Sequence, residues 1–161
     1  MSDFTHLTED KLPHMVSVGE KGVTLRVATA AASIQLPESL LEMLKEGSNH
    51  KGPILHTCVL AGIQAVKKTS DAIPLCHPLP IDNIKIDPTI DELEKVLTFF
   101  VTVKTEGKTG VEMEALHGAS IASLTFYDMV KSQYKDLSIK KIQLLEKSGG
   151  KSGYFKREDK S

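Results

Sequence analysis

The side chains able to do chemistry fall in three short stretches. KKTSDAIPLCHPLP, residues 67–80, sets Cys76 and His77 between prolines, directly after two lysines. A helix-to-strand connector usually takes about two to six undemanding polar residues. This one is longer and half apolar. Pro78 forces His77 away from helical geometry, and a stiff loop is what presents an imidazole and backbone groups to a planar ligand. The plainer alternative is a buried Cys beside a hydrogen-bonded His.

The second stretch, GKTGVEMEALHGASIASLTFYDMVK, carries Glu112, Met113, Glu114, Asp128 and Lys131. At about 100° per residue, Asp128 falls near 40° around a helix from Glu114, with Lys131 one turn beyond. They can share a face, and the plain reading of that face is a solvated stripe whose Asp-Lys pair contributes a few tenths of a kcal/mol. Gly118, Ala119, Ser120, Ala122 and Ser123 leave little bulk on the middle turns. That suits close approach of a ligand or a second subunit, and equally ordinary packing of a helix on a sheet.

KSGGKSG, residues 147–153, is the third. A P-loop would need glycine at position 145, where the chain has Leu145, and a following helix for which about ten residues remain. It is not a P-loop, yet its glycines and lysines can wrap an anion or form a flexible basic tail.

Those groups need elements to hold them. Val23, Leu25 and Val27 alternate with polar or small residues, predicting a strand across Val23–Leu36. PESLLEMLKEG then reads as a short helix opened by Pro37 and closed by Gly47. From Pro53, Ile54, Leu55, Cys58, Val59, Gly62, Ile63 and Val66 recur at helical spacing. IDNIKID and VLTFFVTVKT alternate as strands joined by PTIDELEK. GKTG makes a turn before a helix over Val111–Lys131, and LSIKKIQLLEK reads as a last strand with an irregularity at Lys140 and Lys141. The order predicts an α+β, ferredoxin-like βαββαβ antiparallel sheet with helices on one face, plus an N-terminal strand and short helix. With 161 residues and no linker or repeat, one domain over 1–161 is expected, with 1–14 and 152–161 as flexible termini.

A net charge of -1 gives no case for nucleic acid or an anionic membrane. No apolar run approaches the roughly 20 residues of a membrane span, and MSDFTHLTED lacks the pattern of a signal peptide, so a cytoplasmic protein is expected. Two cysteines outside any CxxC, and six histidines of which only His50 and His56 are near neighbours, predict neither disulfides nor a zinc site.

KGPILHTCVLAGIQAVKKTSDAIPLCHPLPI, KTEGKTGVEMEALHGASIASLTFYDMVK and LLEKSGGKSG together resemble the molybdenum cofactor biosynthesis protein C family, cyclic pyranopterin monophosphate synthase. The likeness runs over nearly the whole chain. It implies a homohexamer, a trimer of dimers with active sites at subunit interfaces. It also implies a pyrophosphate-releasing, lyase-type reaction that turns 3′,8-cyclo-7,8-dihydro-GTP, made by a radical SAM GTP cyclase, into cyclic pyranopterin monophosphate. By position, Asp128, Lys131 and Lys51 match the family's catalytic residues, and Leu75, Cys76, His77, Met113 and Glu114 its substrate contacts, with Glu112 beside them. Arg26, Lys67, Lys68, Lys147 and Lys151 are candidate triphosphate contacts. No metal or other cofactor is required, although magnesium can accompany the phosphates. Pro53-Ile54, His117-Gly118 and Val27 depart from the family's usual residues, and Pro53 bears on the placement of Lys51. The competing expectation is a ligand-binding module that leaves a nucleotide unchanged. An RNA-binding domain is disfavoured by strands without an aromatic platform.

Overall fold

Alternation becomes structure in strand β1 (Thr24–Gln35), where Arg26, Ala28, Ala30, Ala32 and Ile34 turn to the core and Val27, Thr29 and Ser33 to the opposite face. The computed structural model describes residues 6, 7, 10–46 and 53–158. After β1 come α1 (Glu38–Glu46), α2 (Ile54–Lys67), the single turn α3 (Thr69–Ala72), β2 (Asn83–Asp91), β3 (Val96–Gly107), α4 (Glu112–Val130), β4 (Ile139–Ser148) and β5 (Phe155–Lys156).

The sheet order is β2-β3-β1-β4-β5, every neighbouring pair antiparallel. β3 lies between β1 and β2, which α2 connects, and β1 lies between β3 and β4, which α4 connects. This is the ferredoxin-like arrangement. The predicted strand at Val23–Leu36 is itself the first of the βαββαβ series, so the additions are α1, α3 and β5. β2 runs on through Pro88 to Asp91, into the segment expected to be a connector. As an edge strand it tolerates a proline, whose missing N–H need not serve the ladder.

Helices α2 and α4 pack side by side on one sheet face. Phe99 of β3 and Phe126 of α4 meet at its centre, ring centroids 6.4 Å apart and tilted by 60°, an edge-to-face geometry that favours aromatic pairs. The two helices touch at paired glycines. A Cβ on Gly118 would fall 2.6 Å from Val66 Cγ2, and one on Gly62 would lie 3.1 Å from the Gly118 carbonyl oxygen. Gly118 and Ala122 meet α2 here, and Ala119 and Ser123 are buried as well. The small residues of α4 thus serve close packing within the chain.

The opposite sheet face is semi-polar, stitched by hydroxyl pairs Thr29–Thr102 at 2.9 Å and Ser33–Thr98 at 3.0 Å. β4 slips register against β1 at two points, leaving Lys140 and Leu145 without paired partners. Two extra residues in one strand are β-bulges, and the first falls where two successive lysines break the alternation. Of the terminal segments, the Leu7–Pro13 bridge, a His14 N–His6 O bond of 3.0 Å and the β5–β4 pairing lie within the described part. No described helix is long and apolar enough to cross a membrane.

Candidate active site

Three segments converge where α4 begins. The turn after β3 brings Thr109 and Gly110 under the first helical turn, and Gly110 lacks a side chain for a visible reason. A Cβ there would meet Glu112 Oε2 at 1.9 Å, so the Glu112 carboxylate folds back over it.

On one side of this turn opens an apolar slot of about 540 Å3, within the span of small-molecule sites. Leu75, Cys76 and His77 form one wall, Met113 and Glu114 the opposite one. The Cys-His pair thus lines a cavity, together with Pro74 before it. The loop is pinned at its far end, where the Thr105 hydroxyl donates to the Pro80 carbonyl and Asp82 N donates to Lys104 O at 3.0 Å.

Glu114 is 4% exposed. Burial pushes its carboxyl above the usual carboxylate range, and the neighbouring Glu112 charge pushes the same way. It therefore holds a proton more readily than a surface glutamate does. The Cys76 thiol is also raised, first by burial and then by the Glu114 charge. A cysteine held largely as a thiol is chiefly a contact surface, and it reacts as a nucleophile only slowly, through its small thiolate fraction.

On the other side of the turn lies a basic cleft of about 690 Å3, lined by Arg26, Lys108, Lys147, Lys151 and the glycines at 149 and 150. The two cavities share Thr109, Gly110 and Glu112. Together they make one cleft across the N-terminus of α4, whose unpaired N–H groups and dipole favour an anion.

Arg26 is the anchor of the basic part. It is 8% exposed, and its Nε donates to the Gly107 carbonyl at 3.2 Å. Among the described residues it forms no salt bridge. A guanidinium has four further N–H donors, and a buried one without a carboxylate is built to receive an anion from outside. Gly149 and Gly150, at φ +98° and +73°, fold over it so closely that a Cβ on Gly150 would fall 1.7 Å from Nη1. Lys147, with its side chain 14% exposed, stands 3.9 Å from Glu112 Oε1 and donates to the Ser152 hydroxyl.

Asp128 and Lys131 lie elsewhere. Their ion pair closes at 2.5 Å on the exposed last turn of α4, about 21 Å along the helix axis from Glu114. Hydrogen bonding to Asp128, with the attraction between the charges, raises the Lys131 ammonium above the usual lysine range. Glu114 and Asp128 keep the azimuth the spacing predicted. They differ in burial: Glu114 is 4% exposed beside the 73–79 loop, with which it lines the slot, while the side chains of Asp128 and Lys131 are more than half exposed.

The cleft thus gathers Leu75, Cys76, His77, Glu112, Met113, Glu114, Arg26, Lys147 and Lys151 in one chain. Lys67 and Lys68, at the end of α2, are not among its lining residues; Lys68 borders a separate shallow depression with Asp71 and His117. Lys51 lies outside the described residues. Sequence reasoning missed His6 and Pro13, which line the slot, and Thr109 and Gly110, which join its halves. The turn was legible from its glycines, whereas nothing in the pattern tied residues 6 and 13 to a loop so far along the chain. Among the described residues, no group of three or more His, Cys, Asp or Glu side chains is arranged to hold a metal ion.

Compared with known families, residues 15–150 match the MoaC family, well over half of the chain; the match takes in the cleft residues from Arg26 to Gly150 and leaves His6, Pro13 and Lys151 outside it.

Proposed function

Because the chain belongs to the MoaC family, it takes part in molybdenum cofactor biosynthesis, and we propose that it is the cyclic pyranopterin monophosphate synthase of that route. Its substrate is cyclised GTP, 3′,8-cyclo-7,8-dihydro-GTP, supplied by a radical SAM enzyme. One observation carries the reading: an apolar slot of small-molecule size adjoins a cradle holding a buried arginine that has no acidic partner among the described residues. A purine-derived ring bearing a triphosphate has that division into flat and anionic parts.

The rearrangement needs protons moved on ring nitrogens and a C–N bond opened. Closing the cyclic phosphate then forms a bond from a ribose-derived oxygen to the α-phosphorus and breaks the bond to the departing pyrophosphate. The first task needs acid-base groups and the second a concentration of positive charge. Glu114 and His77 orient the ring. Arg26, Lys147 and Lys151 hold the phosphates, the α4 N-terminus adding its dipole. Lys131, kept protonated by Asp128, serves as an acid, and Lys51 as a further acid-base or phosphate-neutralising group.

Asp128 and Lys131 stand too far from the cleft to act within their own chain. In this reading they reach the cleft of a neighbouring subunit, in a hexamer built as a trimer of dimers. Pyrophosphate release from cyclised GTP tests the function. Turnover by the wild type and an increase of roughly tenfold or more in KM for Arg26→Ala are expected, from losing a charge-assisted contact. A folded wild type that binds the compound and releases no pyrophosphate rules it out in favour of a binding module.

A further inference from the structure

The wall that carries Cys76 and His77 is tied to α4 by a buried hydroxyl that belongs to neither. Thr69, the first residue of α3, is 2% exposed. Its Oγ1 lies 3.2 Å from the Ala65 carbonyl, 3.1 Å from the Val66 carbonyl and 3.2 Å from Nδ1 of His117. A threonine hydroxyl has one proton to give. We assign that proton to the carbonyls at the end of α2, and with that assignment His117 Nδ1–H donates to the hydroxyl oxygen.

From this node the connection runs straight into the wall. The Thr69 carbonyl accepts from Ile73 N at 2.8 Å, and the Ile73 carbonyl accepts from Cys76 N at 3.1 Å. On the other side, His117 stands one turn beyond Glu114 on α4. The same turn of α4 is pressed against α2 by Gly118 and Val66, so His117 has a rigid base.

We infer that the Thr69–His117 hydrogen bond is a latch that sets the distance between the Leu75–His77 wall and the Glu114 wall of the slot, making His117 a positioning residue for the ligand. The inference rests on the proposed function only for what the slot binds. With Pro80 held by Thr105 at the far end, releasing the latch frees the near end of the loop and leaves the helices packed.

Cys76 reports on the wall directly, because it is partly exposed while Cys58 is fully buried with its thiol pushed up to about 12. The test is alkylation of Cys76 by iodoacetamide in the full-length protein without substrate, read peptide by peptide. His117→Phe keeps an aromatic ring without a donor, and His117→Asn keeps an amide donor near Nδ1. The Phe variant is expected to alkylate several times faster than wild type, and the Asn variant at close to the wild-type rate. With cyclised GTP, the Phe variant is expected to show a KM about fivefold higher with kcat little changed, the loss of roughly one hydrogen bond's worth of positioning. Equal alkylation of wild type and the Phe variant overturns the latch, and so does equal acceleration in both variants, which would reduce it to packing. Alkylation needs no turnover, so a wild type inactive on cyclised GTP overturns the proposed function and leaves the latch to be decided by its own measurement.

Discussion

Arg26 and Gly150 occupy nearly the same space: the terminal nitrogen Nη1 of the arginine lies 1.7 Å from where a Cβ on Gly150 would be. The close approach explains why a flexible-looking glycine run belongs to the site. It folds over a buried cation that lines the cleft.

Gly150→Ala is therefore expected to displace the guanidinium and to strain a backbone at φ +73°. Calorimetric titration with inorganic tripolyphosphate should show affinity reduced by about tenfold, in keeping with one lost charge-assisted hydrogen bond. Unchanged affinity would mean that Arg26 does not hold the anion.

The pH dependence of stability follows from Glu114, whose folded-state pKa is raised, chiefly by burial. Between the unfolded and folded pKa values the native state binds more protons than the unfolded one. Stability contributed by the protonated form is thus full below about pH 4.5 and declines as pH rises through the folded value. Glu114→Gln removes this decline. Thermal melts should show the variant gaining on wild type at pH 7 relative to pH 4. A difference that does not depend on pH would contradict the assignment.

Two inactive variants should rescue each other. If the cleft of one subunit uses Asp128 and Lys131 of another, mixing Glu114→Ala with Lys131→Ala under conditions that exchange subunits creates some sites with both sets intact. Recovered pyrophosphate release is expected in the mixture and in neither parent. Recovery absent despite proven exchange would confine each site to one chain.

Much of the fold could be read in advance because burial follows simple periods here. β3 alternates cleanly and β1 does so apart from buried Ala31, α2 and α4 repeat at helical spacing, and two consecutive lysines marked the bulge at Lys140. The limits are equally physical. A proline did not end β2, since an edge strand has a side that needs no donor. Spacing placed Glu114 and Asp128 on one azimuth but is blind to the packing that leaves the first buried and the second exposed. Arg26 was legible as a cation, not as a buried one, because its burial depends on how Gly149 and Gly150 fold back. Thr69 offered only a hydroxyl at the end of a helix, and its link to His117 arises from the helix crossing.

That crossing makes its own prediction. Gly118→Ala drives a methyl to 2.6 Å from Val66 Cγ2 and 3.1 Å from Val101 Cγ1, an overpacking that costs about 1–3 kcal/mol. Denaturant unfolding should show a lower midpoint with the slope unchanged. Undiminished stability would mean that the helices separate freely, and the rigid base assigned to His117 would be lost with them.

The most direct measurement is the stoichiometry of products from purified protein and freshly prepared cyclised GTP, with Lys131→Ala alongside. Pyrophosphate and cyclic pyranopterin monophosphate appearing in equal amounts with the wild type, and neither with the variant, is the expected result. Undiminished turnover by Lys131→Ala would remove the far end of α4 from the chemistry, and bound but unchanged substrate in the wild type would contradict the synthase itself.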